Sequence, residues 1–273
     1  MSVQTVWQHA ASNGRKALFS ALLLLPAALA FVGDSRASDS RISDALPNRV
    51  SFVGDIWCPY NCAEQEADKG ALVELLTEIL KRRGIALDYR VLPWSRALQE
   101  VSEGRIDGII GAGVTDARFA TLTRKSWLHA ELATLTHRDT GFRWQGFDSL
   151  TGKSVVVIAN YEYAQPLPTW LAANPQAVHQ LSGDNAFRQA VLLILHKRQQ
   201  VFFSSYPALR RHLQTAAYAG DLAIDKTGLK TPIFMGVTKP KPYSAALLAV
   251  LNEGFDALVA SGKADAIIAR YDL

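Results

Sequence analysis

Cysteine is scarce in this chain of 273 residues, where Cys58 and Cys62 are the only two. They lie four positions apart in the stretch WCPYNC, with a proline between them. A thiol redox centre has two residues between its cysteines and sits at the start of a helix, whereas this pair follows a predicted strand. A zinc site needs further ligands at metal-binding spacing. The sequence therefore favours neither kind of site.

Histidine is thinly spread, and local catalytic motifs are absent from the sequence. There is no nucleophile elbow, no HExxH motif and no Gly-rich kinase loop. A lone histidine is more often a surface or core residue than a base or a ligand. We therefore expect a protein that is not an enzyme and that holds no metal and no cofactor. The six dispersed histidines are His9, His129, His137, His179, His196 and His212.

The chain also has little excess charge of either sign. It carries 29 Lys and Arg against 25 Asp and Glu, a net charge of +4. The basic runs 81–83 and 210–211 lie on predicted helices and are typical of solvated helix faces. Nothing in this balance requires a polyanion, so no nucleic-acid partner is expected.

The one long hydrophobic run lies near the N-terminus. Two basic residues precede the apolar run 17–32, and small-x-small sites that end at Ala30 and Ala37 follow it. This order is typical of a cleavable export signal, so residues 1–37 are predicted to be a signal peptide and the periplasm is the expected location. The run is interrupted by Pro26 and is short for a membrane span. An uncleaved signal anchor remains the alternative.

From residue 49 onward, predicted strands and helices alternate in two blocks. Strands that alternate with helices imply parallel sheets with helical crossovers. Predicted strands cover 49–55, 85–92, 106–113, 153–160, 177–180, 200–205 and 231–239, and predicted helices cover 70–84, 94–104, 163–173, 184–197, 207–217, 243–262 and 263–271.

Two blocks followed by a helical pair predict a two-lobed protein that the chain crosses twice. The last helices need a sheet to cover, so the chain is predicted to return to its first lobe. Predicted lobe 1 comprises 38–137 and 233–273, and predicted lobe 2 comprises 138–232. The hinge candidates are Thr136–Gly141 and Ile233–Val237. Ligands of such folds lie beyond the carboxyl ends of the strands.

Four stretches, taken in order, carry a resemblance to a known family. They are WCPYN (57–61), GALVELLTEILKRRG (70–84), GRIDGIIGAGVTDAR (104–118) and ALVASGKADAIIARY (257–271). Their order and spacing resemble the family-3 bacterial extracellular solute-binding proteins, the polar amino acid receptors of ABC importers. The resemblance covers about residues 49–273. It implies an α/β fold of the type II periplasmic binding class, with a central sheet in each lobe and a hinge of two crossings.

The resemblance implies a carboxylate site at the turn after the third strand. In the family, the arginine that closes a Thr-x-x-Arg turn holds the ligand's carboxylate, and that position is Arg118 here. A planar guanidinium offers a bidentate fork to a carboxylate. The backbone N–H groups of Gly113 and Thr115 lie in the same turn, which is a natural anion nest. The alternative is that Arg118 is a solvated arginine at a helix start.

Trp57 and Tyr60 occupy the family's aromatic positions in the loop after the first strand. Either ring could pack against a ligand or stack on a cation, and packing in the core is the alternative for both. Asp55, at the end of the preceding strand, is either an acid of the site or a residue that holds the loop.

The second lobe departs from the family pattern. Members that bind α-amino acids usually carry an aspartate after the third strand of this lobe, but the aligned position here is Ser205 or the serine before it. The loop after the first strand of this lobe reads NYEYA (160–164). Glu162 is its nearest acid, and Tyr161 and Tyr163 are expected to line the cleft.

These residues predict a periplasmic protein that captures a small carboxylate-bearing, amino acid-like solute by lobe closure. A ligand that bridges both lobes favours the closed state. The expected partners are the solute and an ABC permease or a membrane sensor, and a monomer is expected. Two alternatives remain: ligand sensing without transport, and a dehydratase-like enzyme that uses Glu162 and Arg118 as an acid/base pair.

The export signal also bears on the cysteine pair. Exported proteins meet an oxidising compartment, so a Cys58–Cys62 disulfide is expected, with free thiols as the alternative. The loop that it closes is short, and the benefit is therefore local stiffness more than global stability. Such stiffness would fix how Trp57 and Tyr60 face the cleft.

Overall fold

The computed structural model describes residues 46–273 as alternating strands and helices. The predicted signal peptide lies outside the described residues. The strands are β1 Arg49–Gly54, β2 Ala86–Val91, β3 Gly108–Ala112, β4 Thr121–Leu122, β5 Leu128–His137, β6 Val155–Ile158, β7 Val178–Leu181, β8 Val201–Ser205 and β9 Leu222–Val237. The helices are α1 Ala71–Lys81, α2 Trp94–Ser102, α3 Leu167–Ala173, α4 Ala186–Leu195, α5 Tyr206–Thr215, α6 Ser244–Ala260 and α7 Lys263–Arg270.

The first sheet has the strand order β2-β1-β3-β9. Strand β1 pairs in parallel with β2 and β3, through crossovers that contain α1 and α2. Strand β3 pairs antiparallel with Phe234–Val237, the C-terminal end of β9, and β4 pairs with the same end. These strands, with α1, α2, α6 and α7, form what is called here the first half.

The second sheet continues the order as β9-β5-β8-β6-β7. Strand β6 pairs in parallel with β7 and β8, and β5 runs antiparallel to both β8 and β9. These strands, with α3, α4 and α5, form the second half. The 16-residue strand β9 therefore takes part in both sheets, with residues 222–233 paired to β5.

Helix α1 shows why the first half folds as predicted. Its apolar residues recur at helical spacing, and all of them are buried in a core shared with α6 and α7. Gly254 of α6 allows the two helices to approach closely, since a Cβ at that position would lie 2.3 Å from Ile79 Cγ2. A second core lies against the opposite face of this sheet, where Trp94 and Leu98 of α2 pack with Ile109.

The second half likewise has apolar clusters built on its sheet. One contains Phe202 and Ala190 with residues of α4 and α5, and the other contains Phe203 and Val157 with Leu167 of α3. Adjacent residues of β6 and of β8 enter different clusters because successive side chains point to opposite faces of a strand.

The alternating α/β pattern predicted from the sequence is confirmed, but three strand segments were not predicted. One is the two-residue strand β4. The other two are β5 and residues 222–230 of β9, which pair with each other. Residues 132–135 of β5 also pair with β8 in the second sheet. The lobe boundary after residue 137 stays a prediction.

Within residues 46–273, no single helix is long and apolar enough to cross a membrane. Helices α6 and α7 meet such a criterion only as a pair, and they are bent by 86° relative to each other. Their apolar side chains contribute to the core of the first half.

Candidate functional site

A small cavity lies where the carboxyl ends of strands from the two halves meet. Its volume is about 60 Å³. The segments that follow β1 and β3 supply Asp55, Trp57 and Gly113 from the first half, and the loop after β6 and the end of β8 supply residues from the second. This is the position at which α/β folds bind ligands. Of the predicted site residues, the cavity is lined by Asp55, Trp57, Gly113, Tyr161, Glu162, Tyr163 and Ser205.

The most direct contact across the cavity is made by the carboxylate of Glu162. Its Oε2 atom accepts hydrogen bonds from Thr115 N at 2.6 Å and from Thr115 Oγ1 at 2.7 Å. Glu162 lies in the loop after β6, whereas Thr115 lies in the turn after β3. Two donors that converge on one carboxylate oxygen form a charge-assisted pair of hydrogen bonds. The turn that was predicted to be an anion nest therefore holds a carboxylate of the protein itself.

Gly113 makes this contact sterically possible. Its backbone is extended, with φ −94° and ψ 177°, so conformation alone does not require glycine. A Cβ at this position would lie 2.5 Å from Glu162 Cδ and 2.5 Å from its Oε2. Any side chain at residue 113 would therefore displace the Glu162 carboxylate.

A second carboxylate, that of Asp116, serves the same turn from beneath. Its Oδ2 atom accepts a hydrogen bond from Gly113 N at 2.9 Å, and its side chain is 1% exposed. Burial raises the pKa of Asp116 to about 6. The hydrogen bond from Gly113 lowers this pKa, the negative charge of Glu162 raises it and Arg118 lowers it. The turn after β3 thus concentrates two acids of the protein on its own donors.

Neutral hydrogen bonds add to the contact between the halves. Trp57 Nε1 donates to Ser205 Oγ at 3.1 Å. Trp94 Nε1 donates to the backbone oxygen of Asn160 at 3.0 Å, and Asn160 Nδ2 donates to Ser95 Oγ at 2.8 Å. Asn160 adopts φ 61°, which turns the backbone just before Glu162. The loop that carries Glu162 is therefore anchored to the first half at two adjacent places.

Asp55 lies at the rim of the cavity, where β1 ends. Burial raises the pKa of its carboxyl to about 7. Its backbone oxygen accepts a hydrogen bond from Asn61 Nδ2 at 2.6 Å, which ties the strand end to the WCPYNC loop. Asp55, Trp94 and Tyr161 also line an adjacent pocket of about 460 Å³, which opens from the same region. The small cavity thus borders a space of the size that binds small molecules.

The WCPYNC loop supports the cavity wall. Cys58 and Cys62 form a disulfide. Tyr60 is fully buried and does not line the cavity, and its ring centroid lies 4.2 Å from that of Trp57. A carboxylate oxygen of Glu66 lies within 4.8 Å of the sulfur atoms of Cys58 and Cys62. Both sulfur atoms take part in the disulfide. Trp57 therefore lines the cavity while Tyr60 packs behind it.

Arg118 lies at the far end of the same turn and is exposed. Its guanidinium sits 4.7 Å from the centroid of the Phe119 ring. It is not among the residues that line the cavity. Within the described residues it forms no ion pair with Glu162, the partner considered for acid/base chemistry. Of the carboxylate-binding residues predicted for this turn, Gly113 and Thr115 meet Glu162, and Arg118 does not.

Several lining residues were not predicted from the sequence. Trp94 opens helix α2, and its periodic position marks it only as a core residue. Asp116 stands inside the Thr-x-x-Arg turn, where an acid at the third position of a helix start is an available signal. Thr231 and Pro232 reach the cavity from β9 through a strand crossing that has no local sequence pattern. Ser204, the sequence-based alternative to Ser205, also lines the cavity. The further unpredicted lining residues are Ile233, Ala130, Leu132, Gly111 and Ala112.

The sequence model of the bacterial extracellular solute-binding proteins, family 3, matches residues 52–272. No curated protein sequence matches the chain at a significant level.

Solved structures share the fold at low sequence identity. A histidine kinase sensor domain with similarity to periplasmic binding proteins superposes with a TM-score of 0.70 at 20% identity, over 82% of this chain and 95% of that chain. An ancestral arginine-binding protein bound to glutamine gives 0.71 at 14% identity, over 83% and 99%. The substrate binding protein of an amino acid ABC transporter gives 0.66 at 16% identity, over 82% and 98%. These likenesses confirm the predicted fold.

Proposed function

The chain belongs to the bacterial extracellular solute-binding proteins, family 3, and on that premise we propose that it captures a small carboxylate-bearing, amino acid-like solute between its two halves. The halves act as lobes, and the solute binds where the carboxyl ends of their strands meet. A solute that contacts both lobes favours the closed state by its differential affinity for that state.

One observation carries the carboxylate assignment. Thr115 donates both its N–H and its hydroxyl to a single carboxylate oxygen, that of Glu162. Backbone N–H groups at a strand-to-helix turn favour anions in general. A turn that binds the carboxylate of Glu162 has the donors needed for the carboxylate of a solute. Trp57 and Tyr161 provide aromatic surface beside it for the rest of the molecule.

The binding test is a calorimetric panel of the twenty L-amino acids on the purified protein, with the decarboxylated amine of each one that binds. We expect the amino acid to bind and its amine to lose at least tenfold in affinity, since a charge-assisted pair of hydrogen bonds would be lost. Equal affinity for both members of such a pair would reject the carboxylate assignment.

The role of Arg118 is tested separately, because its guanidinium is exposed and lies over Phe119. We propose that it swings to the solute's carboxylate once a solute is bound. Arg118→Ala should then weaken binding, while Arg82→Ala, which removes an exposed arginine from the C-terminal end of α1, should not. If Arg118→Ala binds as well as the parent, this arginine has no part in holding the carboxylate.

Closure is proposed to occur about the two strands that run between the halves. The pairing of β5 with β9 is irregular between Glu131 and Ala133, and β9 passes from the second sheet to the first after Ile233. These positions are the proposed hinge, with most of the second half between them. Small-angle scattering should show a smaller radius of gyration when an amino acid from the panel is added to Glu162→Gln, a variant that lacks the charged contact between the halves. An unchanged radius at saturation would contradict closure.

Export to the periplasm and delivery to an ABC permease complete the proposal. The alternative partner is a membrane sensor, and the structural similarity to a histidine kinase sensor domain makes this a defined second candidate. N-terminal sequencing of the exported protein should find a start after Ala30 or Ala37. Uptake of the bound amino acid by vesicles that contain the permease would distinguish transport from sensing, since a sensor partner gives no uptake.

A further inference from the structure

We propose that Glu162 is a built-in carboxylate that holds the cleft closed by filling the turn that the solute's carboxylate would use. This inference rests on the proposed function, because it concerns the same turn. It adds a competition between two carboxylates, one fixed to the protein and one arriving with the solute.

The competition follows from the donors available at the turn. Gly113 N donates to Asp116, and Thr115 N and Oγ1 both donate to Glu162. The carboxylate of Glu162 also lies against the backbone of Gly113, where a Cβ would have no room. An arriving carboxylate cannot use the donors of Thr115 while Glu162 remains. The negative charge of Glu162 would also repel a solute's carboxylate that approached the same turn.

The two acids at the turn differ in their ability to leave. Asp116 belongs to the turn itself, three residues after Gly113, and is almost fully buried. Glu162 comes from the loop after β6 in the second half and is only partly buried. Separation of the halves therefore withdraws Glu162 and leaves Asp116 in place. The departure of Glu162 frees the donors of Thr115 for a solute, whereas Gly113 N stays bonded to Asp116.

The loop that carries Glu162 is held close to the first half by neighbouring contacts. Asn160, two residues earlier, is held by Trp94 and Ser95. Tyr161 packs edge-on to Trp94, with ring centroids 6.2 Å apart. With this loop in place, the cavity has a volume of only about 60 Å³, well below the several hundred Å³ that is typical of small-molecule sites. The contact of Glu162 with Thr115 and the open, solute-accepting cleft therefore exclude each other.

The consequence for binding is a reduced apparent affinity. When only a fraction of the molecules is competent to bind, the dissociation constant rises by the reciprocal of that fraction. Solutes that replace both the charge and the two hydrogen bonds of Glu162 recover this loss. Solutes without a carboxylate at that place bear the same loss and form none of these bonds in return.

The test measures the distance between the halves without any amino acid. Spin labels are attached to Glu103→Cys on the first half and Ala173→Cys on the second, both at exposed positions. The native cysteines are paired in a disulfide and do not react. Glu162→Gln and Thr115→Val should each raise the ratio of open to closed molecules about fivefold, because a charged partner or one of its donors is lost. Glu253→Gln, which removes a carboxylate paired with Arg83 within the first half, is the matched control and should leave the ratio unchanged.

A second arm adds sodium acetate, the simplest carboxylate, and compares it with sodium chloride at equal ionic strength. Acetate should lengthen the distance in the parent more than chloride does. An unchanged distance in a folded Glu162→Gln protein overturns the inference. If Glu162→Gln opens the cleft but acetate has no effect on the parent, Glu162 is the closing contact and the turn is not a site for a solute's carboxylate. That result would reject the proposed function and not this inference. Far-UV circular dichroism confirms that each variant is folded.

Discussion

Asp116 provides the sharpest quantitative prediction, because it is a carboxyl group buried beside another carboxylate. Its exposed fraction is 1%, and its pKa rises from the ordinary 3.8 to about 6. Burial is the main cause and the charge of Glu162 adds to it. At about 1.4 kcal/mol for each pH unit, the rise corresponds to about 3 kcal/mol.

The sign follows from the protons that each state binds. Between about pH 4 and pH 6, the folded protein keeps the proton on Asp116 while the unfolded chain has lost it. The folded state therefore binds more protons, and the contribution of Asp116 to stability falls as the pH rises through this window. Above about pH 6 the full penalty is present.

Asp116→Asn removes the titration and keeps an oxygen that can accept from Gly113 N. The free energy of unfolding of the variant, relative to the parent, should therefore increase by about 2.4 kcal/mol between about pH 4 and about pH 7.5. Urea unfolding followed by tryptophan fluorescence measures this difference. Asp148→Asn, at an exposed aspartate, is the control. The difference in unfolding free energy between parent and variant should depend on pH for Asp116→Asn and not for Asp148→Asn. If it is independent of pH for both variants, the carboxyl of Asp116 is not buried.

Three further predictions concern the cavity wall. Gly113→Ala should open the cleft, since its Cβ would meet Glu162 at 2.5 Å, and an unchanged scattering profile would contradict this. Trp57→Phe loses the hydrogen bond to Ser205, so the ratio of closed to open molecules should fall about fivefold, which corresponds to about 1 kcal/mol. Equal spin-label distances in parent and variant would show that this bond is not needed. The double substitution of Cys58 and Cys62 by Ser should lower the free energy of unfolding by roughly 2 kcal/mol. The loss in the free energy of amino acid binding, measured by calorimetry, should be larger. A larger loss in unfolding than in binding would show that the disulfide serves global stability.

Local pattern was enough to predict the regular elements of the fold. Helix α1 was predicted at 70–84 and runs from Ala71 to Lys81, because its apolar residues recur at helical spacing and bury one face. Strand β6 was predicted from a continuous β-branched run and is fully buried. Each of these signals is contained within one segment of the chain.

Long-range pairing explains what the sequence did not predict. Strand β5 and the first part of β9 lie more than 80 residues apart and form a ladder with each other. Polar residues such as Lys226 and Thr227 give this part of β9 no apolar alternation. The ladder is decided by pairing partners rather than by local preference.

The same distinction applies to the site. Gly113 and Thr115 were predicted as an anion nest from the turn motif, because a turn is a local feature. That Glu162 would reach this nest depends on how two distant loops meet, which no local pattern encodes. Arg118 remains a predicted carboxylate ligand that lies away from the cavity in this structure.

Strand β9 has a consequence for the order in which the protein can fold. Strands β1 to β4 leave the edge of β3 open until residues 234–237 are available to pair with it. Much of the core around α1 also waits for α6 and α7, which follow β9 along the chain. During synthesis from the N-terminus, the first half therefore cannot be completed until α7 has been made. The second half, whose strands lie between residues 128 and 233, has all its partners earlier and is expected to fold first.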